Sequence, residues 1–207
     1  MKTSLAILAI LALGSVQADK LFHEHFLDFE MLIIEESAQE LEKIAEQYLQ
    51  FDEFLKTVDF LLTTDFRDLM FEMEALPEFI EVVNFLEKNN IDILFFIDLL
   101  NEGFENLDRL KKSANRQQVT GTDFTSYTND VIATFPKNKL AALYDEKIAE
   151  DSTFKAAMEA LNSDEWNEIF GALWDSPVFQ EEVKSLAEYG IDVNQVINQL
   201  IAVLGQL

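Results

Sequence analysis

The chain has 207 residues, with 39 acidic side chains against 15 basic ones and a formal net charge of −24. That balance disfavours nucleic acid and anionic membrane surfaces as electrostatic partners. Yet 49% of the residues are hydrophobic and 18 are Phe, so this is no disordered acidic tail; with no cysteine, stability has to come from burial.

Residues 1–18 read as a signal peptide. Lys2 supplies the positive end, Leu5 to Leu13 is an apolar run too short to span a bilayer, and Val16-Gln17-Ala18 is a small-residue cleavage site. The mature protein is expected to begin at Asp19 and to be secreted, as one domain over 19–207. No later stretch is apolar enough for a membrane span; the densest, residues 91–100, is interrupted by Asp92 and Asp98. No Asn-x-Ser/Thr sequon is present.

His23 to Leu49 has helical spacing: Leu27, Met31 and Ile34 share one face and Leu41, Ile44, Ala45 and Tyr48 continue it, with a break expected near Ser37. Phe54, Leu55, Val58, Leu61 and Leu62 mark the next amphipathic helix, and Thr64-Asp65 restarts the chain for another through Phe66, Leu69, Met70 and Met73. Pro77 then opens a helix, since its missing N–H is not needed at the first position. Phe79, Val83 and Leu86 fall on one face of it, Asn89-Asn90 stop it, and Asp92 is placed to cap the following apolar helix through Ile93, Phe96, Ile97 and Leu100.

Arg109, Lys111, Lys112 and Arg116 give the next stretch a different character, and residues 111–123 read as an exposed linker, most simply a solvated surface run and, on a sharper reading, a place where trypsin-like proteases cut. Beyond it the programme repeats. Phe124–Thr134 is a short helix ended by Pro136; Leu140, Leu143, Tyr144 and Ile148 form the next; then Phe154, Ala157, Met158 and Leu161; then Trp166, Ile169, Phe170 and Leu173 after a Ser163 cap. Pro177 begins a helix with Phe179, Val183 and Leu186 on one face, Ser176 as N-cap and Gly190 as its stop. Val193, Val196, Ile197 and Leu200 make the last.

Pro77, Phe79, Glu81, Val83 and Leu86 return one hundred positions later as Pro177, Phe179, Glu181, Val183 and Leu186, and the register holds back to Phe54 and Phe154. A fixed period over that length is an internal repeat. With no strand alternation and no hairpin dipeptide, the fold class is all-α: two tandem helical repeats, 19–110 and 124–207.

Catalytic motifs are missing. There is no cysteine nucleophile, no G-x-S-x-G and no phosphate-binding glycine loop. His23-Glu24-His25 is a poor metal site, because neighbours at i and i+2 leave a helix on different sides. The acidic residues fall on polar faces, where solubility explains them. The expectation is therefore no catalytic residues, no metal and no cofactor. Scattered carboxylates leave room for an acid–base pair, and a plain side-chain core is the simplest account of the apolar stripes.

The doubled Pro-x-Phe…Glu…Val…Leu…Ile-Asp block, with Asn162-Ser-Asp-Glu-Trp166 and Ala172-Leu-Trp-Asp-Ser-Pro177 before the second copy, resembles the insect-allergen repeat family, which includes the cockroach midgut allergen and the butterfly nitrile-specifier protein. The single signal peptide, short length and acidic charge are most similar to the blood-meal-induced midgut proteins of mosquitoes. The resemblance implies a capsule: paired repeats closing around a hydrophobic cavity that holds fatty acids or phospholipids, in a protein secreted into the gut lumen; a monomer is the separate expectation. It also implies an allergen; and since a shell that takes up or unloads acyl chains can destabilise a nearby bilayer, a cytolytic effect by lipid exchange is a corollary of the carrier reading. Nitrile-specifier activity belongs to one branch, and no motif here carries it; the rival to the carrier reading is a specifier or lipid hydrolase using scattered carboxylates, and the third is a structural or gut-lining protein without ligand.

On that reading the lipid-facing lining is Phe54, Val58, Leu69, Met73, Phe79, Val83, Leu86 and Ile97, with their counterparts Phe154, Met158, Ile169, Leu173, Phe179, Val183, Leu186 and Ile197. Phe and Met adapt well to acyl chains, and each buried methylene is worth roughly 0.8 kcal/mol.

Overall fold

Capping and proline placement set the helices. In a computed structural model that describes residues 20–98, 119–195 and 198, the first copy holds four bounded helices: α1 (Phe22–Tyr48), α2 (Asp52–Leu61), α3 (Thr64–Glu74) and α4 (Pro77–Lys88). The second holds α5 (Phe124–Ala133), α6 (Lys137–Glu150), α7 (Ser152–Leu161), α8 (Asp164–Asp175) and α9 (Pro177–Glu188). Residues 93–98 and 193–195 are helical as well, and the described residues contain no strand. The expected signal peptide and most of the expected linker lie outside the described residues.

Matching ends are built alike. Thr63 Oγ1 accepts from the Phe66 N–H and Ser163 Oγ from the Trp166 N–H, so α3 and α8 start on equivalent hydroxyl caps. α4 and α9 both begin on proline and both stop in the left-handed region, at Asn90 (φ 59°) and Gly190 (φ 84°). Ser176 takes the N-cap position of α9, but its buried side chain makes no cap bond.

The copies differ at their first helix. α1 runs unbroken where the second copy has two helices, and the break expected near Ser37 is absent. The reason is chemical. Glu36 stands where the second copy has Pro136, and Pro136 lacks the N–H that would carry a helix on from α5. Ser37 does not compete with its own backbone either; its Oγ donates to the Thr134 carbonyl at the α5–α6 break, 2.8 Å away. Lys139 adds an ion pair to Glu36 at 2.5 Å.

The copies are clasped rather than set side by side. α4 packs on α8 and, in reverse, α9 on α3; α5 packs on α2, and α1 on α7. Contacts that return when the copies are exchanged are those of a two-fold dimer, here within one chain. One apolar cluster draws on both copies, from Phe60, Phe66, Met73 and Phe85 on one side to Ala157, Leu173, Phe179 and Leu186 on the other. The buried side of α4 includes Val82 and Phe85, while Val83 is only half-buried, so its apolar stripe is turned from the expected Phe79–Val83–Leu86 line.

Candidate functional site

The structure sorts the expected lining into groups. Met73, Leu86, Leu173, Phe179, Val183 and Leu186 meet in the cluster shared by both copies, with Leu69, Phe79 and Ile169 half-buried against it. Phe54 and Val58 belong to a second cluster with Ile44 and Tyr48, closed by Val119, Phe124, Tyr127 and Val131. Phe154 sits at the equivalent place in the other copy, its ring 5.7 Å from Phe22, 4.7 Å from His25 and 6.0 Å from Tyr144. Met158 leaves the interior: it lines an outer cleft of about 300 Å³ between α6 and α7 with Tyr144 and Ile148. Val83 and Ile97 are half-buried, and Ile197 lies outside the described residues.

Polar side chains border these clusters in a way that sequence spacing did not suggest. Lys147 on α6 is buried. Its ammonium donates to the Asp28 carboxylate and to His25 Nδ1, the latter at 3.3 Å, and lies 5.6 Å from the centre of the Phe29 ring. The second nitrogen of His25, Nε2, donates to Asp151 at 3.1 Å. An ammonium has no lone pair, so Nδ1 must be the acceptor and His25 is the neutral Nε2–H tautomer. Burial, then the Lys147 charge, hold its pKa below the ordinary value of 6.5. Burial works against the Asp28 carboxylate too, but hydrogen bonds from Lys147 and Lys20 outweigh it and lower the Asp28 pKa. Asp151 is lowered first by the Phe154 N–H, which it accepts as the cap of α7.

The position equivalent to Lys147 in the first copy is Gln47, and it is buried as well, at 2% exposure. Among the described residues neither its Nε2 nor its Oε1 has a hydrogen-bond partner. Where Lys147 meets His25 and Asp28, the positions one hundred residues on are Thr125 and Thr128, and Thr128 spends its hydroxyl on the Phe124 carbonyl. Gln47 follows Ile44 by three residues, which puts it on the side of α1 that faces the second cluster. Beside it, Tyr48 is fully buried and donates to Asp130 at 2.6 Å; burial, then that carboxylate, push the phenol up to about 12.

His23 and His25 part company, as their spacing requires. His23 bonds Asp92 and stacks on Phe95 at 4.0 Å, whereas His25 turns to Asp151. Asp92 is thus held by the His23 side chain and backbone N–H, while Asp192 caps the helix after it by accepting from the Gln195 N–H. Among the described residues no three His, Asp or Glu side chains converge as a metal site.

An all-α chain of two clasped copies, with large apolar side chains gathered between them, defines a helical double-repeat protein. The chain belongs to the insect allergen related repeat family, whose description adds nitrile-specifier detoxification and whose pattern it matches over residues 22–197. No curated protein compared with the chain matches it.

Proposed function

We propose that this protein is a secreted, monomeric, non-enzymatic carrier of fatty acids or phospholipids, which lie in an apolar interior between the two copies and are taken up during digestion in the gut. Membership of the allergen repeat family supports the reading, as does the gathering of Phe, Met and Leu side chains from both copies. The observation that carries it is Gln47. A buried amide with no partner costs about 1–3 kcal/mol, and the oxygen of an ester or carboxyl head group beside an apolar chain would recover that cost. The strong acidity of the chain favours neutral or zwitterionic head groups.

Exchange with a bilayer is part of the proposal. Phe26, Met31 and Ile34 on α1 are exposed, as is Leu94, so apolar contacts are available to a membrane surface. Among the described residues no helix is long and apolar enough to cross one.

The test is organic extraction of the protein purified from its native secretion, followed by mass spectrometry. Acyl lipids in near-stoichiometric amount are expected, and the stripped protein should take up a fluorescent fatty acid, more weakly as Gln47→Leu. An extract free of lipid, together with no uptake by stripped protein, would overturn the proposal. Dye leakage from phosphatidylcholine liposomes is expected with stripped protein and not with loaded protein; no leakage in either state removes the membrane part.

A further inference from the structure

We propose that the cleft between α8 and the helical turn after Asp192 is a second binding site, for a neutral carbohydrate whose pyranose ring lies on Phe170 and Trp174. Trp166, Phe170 and Trp174 follow one another at steps of four along α8. Their centroids are 5.3 and 5.9 Å apart and their planes lie within 23° and 26° of each other. Phe85 closes one end of this strip at 5.4 Å from Trp166, and Phe179 the other at 5.3 Å from Trp174. Beside Phe170 and Trp174 opens a cleft of about 330 Å³, edged by Asn167 and Asp175 on α8 and by Asn194 and Asn198 opposite. That volume lies within the range of small-molecule sites.

Gly171 is the floor of the cleft, and packing does not explain it. A Cβ at that position would meet nothing within 4 Å, and its φ is not positive. A glycine inside a helix weakens the helix relative to alanine. What its missing side chain provides here is open space in front of Phe170 and Trp174.

The other copy shows how specific the arrangement is. Arg67, Phe71, Glu74, Leu94 and Asp98 occupy the positions of Asn167, Gly171, Trp174, Asn194 and Asn198. Core positions are kept between the copies, as at Phe54 and Phe154 or Leu86 and Leu186. Along this stripe three charged residues have given way to two amides and a tryptophan, and an exposed Phe71 to glycine. On a chain of net charge −24, a strip with one carboxylate and several amides is a local change of chemistry.

That chemistry suits a sugar. A pyranose offers a flat C–H face to an aromatic ring and a rim of hydroxyls that both donate and accept. An Asn amide answers both roles, and the Asp175 carboxylate accepts from a pair of hydroxyls. An acyl chain would leave the amides unused. A phosphate would be repelled by Asp175 and the surrounding acidity. A quaternary ammonium prefers rings that enclose it, whereas these form a nearly parallel strip.

The experiment uses the two tryptophans of the chain, Trp166 and Trp174, both in the strip. The mature protein is titrated with neutral oligosaccharides of glucose, galactose, mannose and N-acetylglucosamine while tryptophan emission is followed. A saturable change with a Kd of about 1 mM or tighter is expected for at least one. Gly171→Phe restores the first-copy residue and fills the cleft, and Asn194→Leu removes an amide; each should weaken binding roughly tenfold or more, the scale of a lost directed contact. Both changes sit on exposed or open positions, and circular dichroism melts check that the variants fold. Trp166 and Trp174 also pack against the shared apolar cluster, so the titration is run on both stripped and loaded protein, and saturation by sugar is expected in each. No saturable response to any sugar, or a response that both variants leave unchanged, overturns the proposal.

Discussion

The buried histidine gives the sharpest handle on this fold. In the folded chain His25 is the neutral tautomer, donating to Asp151 and accepting from Lys147. A second proton would have to go on Nδ1, 3.3 Å from an ammonium that cannot move aside without leaving Asp28. The folded pKa therefore lies below 6.5, while the unfolded chain keeps the ordinary value. A depressed histidine means that the unfolded state binds more protons once the pH falls below 6.5, so stability contributed by neutral His25 is intact above that value and is lost on acidification. If the folded group stays unprotonated, the loss reaches about 1.4 kcal/mol at about pH 5.5, one unit below the unfolded value. The assay is urea unfolding of the wild type and of His25→Gln between about pH 8 and pH 5.5, the window that this linkage covers. The glutamine Nε2–H can still reach Asp151 but cannot titrate, so the variant is expected to start less stable and to lose less on acidification. Imidazole resonances in NMR follow the His25 titration directly. An His25 titration at or above 6.5, or an identical pH dependence in the variant, would refute the protonation argument.

Three further outcomes follow from single contacts. Gly190→Ala should lose about 1–2 kcal/mol in urea unfolding, because its φ of 84° is left-handed and a Cβ there would stand 3.1 Å from Thr57 Oγ1; Gly190→Asn, the first copy's solution, should cost much less. Thr57→Val keeps the shape but leaves the Tyr189 carbonyl without its 2.5 Å donor at a 2% exposed site, and should cost about 1–3 kcal/mol by the same measurement. Ser163→Ala removes the cap of α8 and should cost about 1 kcal/mol, whereas Ser163→Asp should retain stability.

Much of the fold could be read from spacing alone, because it depends on residues close in sequence. The proline starts, the Ser163 cap and the Asn90 and Gly190 stops are local rules, and they hold in both copies. What spacing misses is long-range. Val82 and Phe85 look no more apolar than Phe79 and Val83; α8 packing on α4 decides which side is buried. Ser37 reads as a helix weak point until its hydroxyl is seen to reach across to Thr134. Lys147 reads as one more charge on a polar face, since nothing near it in sequence announces Asp28 and His25, more than a hundred residues earlier. Of the expected lining, Met73, Leu86, Leu173, Phe179, Val183 and Leu186 do converge, but Met158 faces an outer cleft, because apolar spacing locates a face without saying what covers it.

The two histidines tie these points together. Residues at i and i+2 diverge on a helix, so they cannot share a metal, and the same geometry lets them grip two different parts of the protein. His23 reaches Asp92 of the first copy and His25 reaches Asp151 of the second. Phe22, just before them, packs against the apolar cluster that both copies build. The first turns of α1 thus bind one copy to the other over the shared interior. Releasing them would loosen both copies together, and the interior that the carrier reading assigns to lipid would lose its cover at that end. At the far end of the same helix sits Gln47, buried and without a partner among the described residues, where its counterpart Lys147 is fully engaged. One copy has settled its buried polar position with partners from the chain, and the other leaves its amide without one among the described residues.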